Sequence, residues 1–481
     1  MKLSGEIALA SGFVFDYSNM INTDIITSSV IENLESKVKD AADALQLIRE
    51  QGMAKAHLSK DGTPEHVFFT KLPFVQDGNP NTPESIAKLK QFGNYLQQDI
   101  DAVVFLGVGG SYLGNKVLFD IFAGSGWNVG CEKSRQGYPR VYFSGNNLDV
   151  DQYSEVMYEV EYLATHRLGK NEQFRVLLVP ISKSGTTLET LAAFSYFYER
   201  CQKSSLLQME VAVVTDLDED ISPLYNLAKE NVWQCFDIKE GVGGRFCIFS
   251  DPGLVTAVAI GMDIDAFLCG ARDMENACHS ASLGENPALL NAVLKYVAAK
   301  KGVDIEVFMP YAAKMKSVGE WYVQLLAESL GKRKDREGNI VYYGRTPVSA
   351  VGSTDMHAQT QQHQDGKKDK VIQFVEILER EQQIVLNNPF AHIRALKKYD
   401  GLSVDHVLKI ALAANEEALK SDGRLNAKYI LPRIDEYYLG QLLYFLMLSV
   451  AYEGELADVD AYDQPGVETY KQIMKQKMSQ Q

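Results

Sequence analysis

No stretch of this chain approaches the ~18 consecutive apolar residues of a membrane-spanning helix. Cysteine is sparse and scattered. Cys131, Cys201, Cys235, Cys247, Cys269 and Cys278 include no C-x-x-C pair, which excludes a zinc ribbon or a disulfide framework and fits reduced thiols in a cytosol. Positive charge is in deficit: 48 basic against 63 acidic residues leave a net −15. Such a surface repels nucleic acid and anionic membranes, so neither is expected as a partner. A phosphorylated substrate then requires a pocket lined by amides or by a local Lys or Arg. There is no Pro/Gly/Ser-rich linker and no short-period repeat. The 481 residues exceed one typical core, so packed domains are expected, with a boundary in 285–300. Residues 7–15 are apolar and follow Lys2, but Glu6 opens the run and it is short for a signal-peptide core. A cytoplasmic chain is the expectation.

What is present is an alternation. Val103-Val104-Phe105-Leu106 is a short apolar run that ends in glycines, and a helical stretch follows over 112–122. Apolar runs recur at 140–143, 175–180 and 211–214, with helical patterns at 150–164 and 187–202. Buried strands alternating with helices predict a parallel, doubly wound sheet. Helices are also expected at 30–51 and 83–99. The second half is richer in helix, at 254–281, 287–301, 312–330, 404–421, 434–452 and 465–478. Strands near 304–309 and 371–376 predict a second, smaller α/β unit.

Two loops between strand and helix are candidate anion sites, because free helix amides and the helix dipole favour negative charge there. The first is Gly107-Val108-Gly109-Gly110-Ser111-Tyr112-Leu113-Gly114. It is not a dinucleotide fingerprint, since the third glycine of G-x-G-x-x-G would fall on Tyr112. A plain strand-to-helix turn fits it equally. The second is Ile181-Ser182-Lys183-Ser184-Gly185-Thr186-Thr187-Leu188-Glu189. Four hydroxyls, one ammonium and one glycine within six residues suit a phosphate dianion. Thr186 and Glu189 have capping-box spacing. The alternative is a solvated loop with an ordinary cap.

Candidates for chemistry are fewer. Trp321, Gln324, Leu325 and Glu328 share one helical face, with Glu328 in the last turn before Gly331. A carboxylate on a partly apolar face is costly unless paired or functional. By spacing alone a solvated glutamate at a helix end is the simpler reading. His357 and His363, six residues apart, lie on different helical faces, which argues against a two-histidine metal site. Either could move protons near neutral pH. Arg245, after Gly241-Val242-Gly243-Gly244, could stabilise an oxyanion.

Six blocks in order, G-V-G-G-S-Y-L-G, S-K-S-G-T-T-L-E-T, G-V-G-G-R-F, Q-L-L-A-E-S-L-G-K, D-M-H-A-Q and D-Q-P-G-V-E-T-Y-K, resemble the phosphoglucose isomerase family. They run from about residue 100 to the C-terminus. The resemblance implies an α/β fold of two doubly wound parallel-sheet sugar-isomerase domains, 1–290 with the N-terminal helices and 291–481 with the C-terminal ones, the second smaller and helix-rich. It implies a homodimer, a hexose 6-phosphate substrate, no cofactor and no metal. Gly110, Ser111, Ser182, Lys183, Ser184 and Thr187 match sugar-phosphate-binding positions, and Gln324 matches a site glutamine. Glu328 matches the proton-transfer base, and His357 the ring-opening histidine, which in the family reaches the partner subunit's site. Lys471 matches the lysine near the C-terminus and Arg245 the arginine that stabilises the enediolate. Family members often carry serine where this chain has Cys247. The implied reaction interconverts glucose 6-phosphate and fructose 6-phosphate. An isomerase of another hexose phosphate, such as mannose 6-phosphate, and a non-catalytic sugar-phosphate-binding regulator are the alternatives.

Overall fold

Ala102–Leu106 is buried along its whole length, as a strand covered on both faces must be. It belongs to a five-stranded parallel sheet in the order Arg140–Ser144, Ala102–Leu106, Phe174–Pro180, Leu207–Thr215, Gln234–Asp237. Ala102, Val104 and Leu106 pack with helices Val150–Thr165, Leu188–Lys203 and Pro223–Asn231. Val103 and Phe105 point to the opposite face by strand alternation and are equally buried. The sheet is therefore doubly wound. It lies in one compact unit, His66–Cys269. The computed structural model describes residues 3–480 except Lys60 and Asn171. Lys2, which bears on the signal-peptide reading, lies outside the described residues.

The other unit is discontinuous, Met1–Glu65 with Gly270–Gln481. Its six-stranded sheet has four parallel strands in the order Thr346–Ser349, Ile305–Pro310, Lys370–Ile377, Asn426–Leu431. Val14–Asp16 then adds antiparallel to Asn426–Leu431, and Glu6–Ala8 adds to that. The apolar run at 7–15 is thus a hairpin of the sheet. Phe13 and Phe15 are fully buried against Phe445, and Phe15 also against Tyr429. Among the parallel strands of each sheet, the first in chain order sits between the second and the third. Each unit therefore has one point where the chain reverses its direction of travel across the sheet.

The units divide at 65/66 and 269/270. The first division reflects the N-terminal hairpin. By completing the sheet edge beside Asn426–Leu431 it joins the first 65 residues to the C-terminal half, which makes that unit the larger of the two. The helix expected over 254–281 is two helices, Asp251–Ala259 and Ile264–Ala277, separated where Gly261 turns at φ +74°. The expected capping box does not form. Thr187 is the N-cap of Leu188–Lys203 and makes no side-chain cap bond. Its hydroxyl bonds within the loop instead. Among the described residues, no helix is long and apolar enough to cross a membrane.

Candidate active site

In the unit His66–Cys269, Ala102–Leu106 and Phe174–Pro180 are adjacent, with Leu106 opposite Pro180. The 107–111 turn and the 182–187 loop leave the carboxyl ends of these two strands. This is the reversal point of the sheet, where open α/β folds bind ligands. The first turn opens the helix Gly110–Leu118. A Cβ on Gly110 would stand 2.0 Å from the Gly244 carbonyl oxygen. Only glycine permits that approach, so the 241–245 turn is pressed against the start of this helix. Arg245 is buried over the Phe246 ring, 5.4 Å from its centroid. The Cys247 thiol lies 3.5 Å from the Gly110 carbonyl oxygen, and burial pushes its pKa up to about 12, so it stays protonated.

The 182–187 loop is built from below. Thr215, at the end of its strand, donates its hydroxyl to the Ser182 carbonyl at 2.7 Å and lies 2.6 Å from the Ser222 hydroxyl. The Ser182 amide donates to the Val214 carbonyl at 3.0 Å. Gly185 turns at φ +62°, and a Cβ there would stand 2.3 Å from Ser222 Oγ, so the loop needs glycine at its tip. The buried Ser182 hydroxyl pairs with that of Thr187 at 2.8 Å, and Ser184 pairs with Thr186 at 2.9 Å. Lys183 and Ser184 are exposed. Thr215 and Ser222 have no place in the sequence reading. They lie far along the chain from the loop, and the signal for them is only a strand end followed by a serine N-cap.

The other candidates lie in the unit Met1–Glu65 with Gly270–Gln481. Helix Lys316–Leu330 buries Trp321, Tyr322, Leu325 and Leu326, and leaves Gln324 and Glu328 half-buried. Gln324 Nε2 donates to Glu328 Oε2 at 3.0 Å. This is the i, i+4 contact the spacing predicts, and it fixes the direction of the carboxylate. Gln324 Oε1 is buried and has no hydrogen-bond partner among the described residues, so the amide keeps an acceptor for a further hydroxyl. Lys332, just beyond Gly331, is buried and donates to the Glu328 carbonyl at 3.0 Å. Lys471 stands exposed on the helix Glu468–Met478, 3.9 Å from Glu468.

His357 ends the 3-10 turn Thr354–His357 and is exposed. His363 belongs to a different element, the helix Thr360–Asp365, and is buried. Burial, with Lys370 nearby, pushes the His363 imidazole down to about 4, which removes it from proton transfer near neutral pH. Because the folded chain keeps His363 neutral while the unfolded chain titrates near the ordinary value of about 6.5, stability falls as pH drops from about 6.5 to about 4. The loss is about 3 kcal/mol from this group alone. Unfolding free energies measured at pH 7 and pH 4.5 check it. His363→Gln should flatten that part of the profile, and an unaltered slope would refute the assignment.

Residues 84–481 match the family described as phosphoglucose isomerase. The glucose-6-phosphate isomerase of Carboxydothermus hydrogenoformans is 33% identical over 403 residues, covering 84% of this chain and 83% of that protein. That of Clostridioides difficile is 31% identical over 462 residues, covering 96% and 94%. Among solved structures, a hypothetical protein from Thermus thermophilus superposes with TM-score 0.76 at 27% identity, covering 94% of this chain and 96% of that one. A glucose-6-phosphate isomerase from Chlamydia trachomatis shares the fold, with TM-score 0.79 at 22% identity, covering 99% and 90%. The chain belongs to the phosphoglucose isomerase family.

Proposed function

We propose that this protein interconverts glucose 6-phosphate and fructose 6-phosphate. The observation that carries the reading is the Glu328 carboxylate. It is half-buried at a helix end and oriented by Gln324, in a chain whose family match covers it. The substrate phosphate is anchored by the turn at Gly110–Ser111 and by Ser182, Lys183, Ser184 and Thr187. That anchor is remote from the reacting carbons, so its binding energy serves positioning. His357 and Lys471 assist ring opening. Glu328 takes the proton from C2, leaving an enediolate, and returns a proton to C1. Arg245 offsets the enediolate charge. No step calls on a metal or cofactor.

The protein acts as a homodimer in the cytoplasm, with His357 serving the partner subunit's site. Two observations support this. Exposed apolar side chains gather along 378–410, among them Leu378, Ile384, Val385, Phe390, Ile393 and Ile410, more than a monomer surface usually shows. None of the six cysteines is in a disulfide, as in a reducing compartment.

A coupled assay in both directions, with glucose 6-phosphate and with fructose 6-phosphate, tests the reaction. Binding without turnover would favour a regulator. Lys183→Ala should raise KM about tenfold with kcat little changed, since one charge-assisted contact to a phosphate is lost. A fall in kcat alone would contradict the anchoring role.

A further inference from the structure

We infer that Lys332 is a positioning residue for this reaction, through a single ammonium that ties the backbone of Glu328 to the segment leading into the Lys471 helix. The inference rests on the isomerase reading above. Lys332 is the second residue beyond the helix that carries Glu328, and its side chain is 5% exposed. Its Nζ donates to the Glu328 carbonyl at 3.0 Å and to the Asp463 carbonyl at 2.7 Å, and lies 2.9 Å from Asp463 Oδ1. A cation at this place satisfies carbonyls that the last helical turn leaves open, and it complements the negative end of the dipole.

The chain runs from Asp463 through the 3-10 turn Pro465–Val467 into the helix Glu468–Met478, which bears Lys471. The segment before Asp463 is fixed by other groups. Arg336 bonds both Glu455 oxygens, at 2.5 and 2.7 Å, and its amide bonds the Asp458 carbonyl at 2.9 Å. His57 Nδ1 lies 2.9 Å from Asp460 Oδ2. These contacts hold the path of the segment but do not touch Glu328. Lys332 does both. A burial cost this high for an ammonium is met by acceptors from two separate stretches of backbone, and those stretches carry the proton-transfer carboxylate and the C-terminal lysine.

Without the ammonium, the Glu328 turn and the Asp463 segment lose their common anchor. A displacement of about 1 Å at a reacting group can cost on the order of 100-fold in rate. The Ser182–Thr187 hydroxyls and Lys183 belong to other elements, so phosphate anchoring is unaffected. The expected signature is therefore a kcat effect without a KM effect.

The test is steady-state kinetics on the full chain, alongside thermal unfolding. Lys332→Met should lower kcat about 10- to 100-fold with KM within about threefold of wild type. Lys332→Gln, which can reach one carbonyl but not both, carries the same expectation at the smaller end if the Met variant does not fold. Lys332→Arg, which keeps the cation, should retain more turnover than either. Arg336→Leu is the control: it should lower the unfolding temperature and leave kcat within about twofold. If the wild type is active and the Met and Gln variants keep its kcat, the positioning role is overturned. It is also overturned if Arg336→Leu loses kcat to the same extent, since the effect would then be general destabilisation. A wild-type chain that does not turn over hexose phosphates overturns the isomerase reading, and this inference with it.

Discussion

Glu328→Gln is expected to lower kcat by about 1,000-fold while KM stays within a few-fold of wild type. The substitution changes almost nothing but basicity. Glutamine has the shape of glutamate, and its amide oxygen can still accept from Gln324 Nε2, which now lies 3.0 Å from Glu328 Oε2. The helix Lys316–Leu330 keeps its buried face of Trp321, Tyr322, Leu325 and Leu326. What is lost, in the proposed mechanism, is the site that receives the C2 proton. General-base assistance contributes about 100- to 10,000-fold, and 1,000-fold corresponds to about 4 kcal/mol of barrier. In the proposed reading the phosphate is anchored at 110–111 and 182–187, so binding of the substrate should persist and can be measured by calorimetry on the inactive variant. Exchange of the C2 hydrogen with solvent deuterium should fall in parallel with kcat. A variant that keeps near-normal kcat would rule out Glu328 as the base. One that keeps C2 exchange but loses net turnover would instead place the defect after proton abstraction.

The strands that lead into the two candidate anion loops were legible because Ala102–Leu106 is apolar on both faces, Phe174–Pro180 is apolar apart from Arg175, and both end in glycine or hydroxyl loops. The Gln324–Glu328 contact was legible as an i, i+4 pair. Other features were hidden for physical reasons. The strand Asn426–Leu431 has Asn, Lys and Tyr in six residues and reads as a polar stretch. It lies inside the sheet, between Lys370–Ile377 and Val14–Asp16, with its polar side chains paired: Asn426 with Asn19, and Lys428 with Glu416 and Glu376. The hairpin strands are three residues each, too short for a period to show. The grouping of the first 65 residues with the C-terminal half rests on these elements. Without Asn426–Leu431 and its antiparallel neighbours, nothing in the linear pattern assigns the first 65 residues to the C-terminal half. Lys332 stood inside a recognised block without a role, because its partners are carbonyl groups and one of them is far along the chain. Roles of that kind follow from backbone geometry, which side-chain spacing does not encode.

Arg345→Met is expected to cost about 3–5 kcal/mol of stability, the largest effect predicted away from the chemistry. Arg345 is completely buried between two buried carboxylates. Its Nε and Nη2 donate to Glu306 Oε2 at 3.1 and 2.9 Å, its Nη2 donates to Glu453 Oε2 at 2.7 Å, and its Nη1 donates to Glu453 Oε1. Lys295, equally buried, pairs with Glu306. Tyr322 donates to Glu306 at 2.8 Å and Tyr343 to Glu453 at 2.6 Å. The two cations and two anions balance. Methionine fills much of the arginine volume but leaves two buried carboxylates facing Lys295 alone, and an uncompensated buried charge is what makes such removals expensive. Arg345→Lys should fall between, because an ammonium cannot bridge both carboxylates in the planar, forked way a guanidinium does. Urea denaturation followed through the midpoint should show the order wild type, Lys, Met. A Met variant within about 1 kcal/mol of wild type would mean that the network contributes no net stability.

The acid limb offers an independent check on the same network. Burial alone would raise the Glu306 pKa, but Lys295 and Arg345 outweigh it and hold the carboxyl below its ordinary value. A depressed carboxyl stabilises the fold fully above the unfolded value of about 4.3 and loses that stabilisation as pH falls through the folded value. In Arg345→Met the sign reverses for whichever carboxylate is left unpaired, since burial now dominates and protonation relieves the penalty. The stability gap between wild type and Met variant should therefore narrow as pH is lowered from 7 toward 4, whereas a gap caused by lost packing alone would stay constant. Tyr322 lies on the same helix as Gln324 and Glu328, so the network also holds that helix from its buried side.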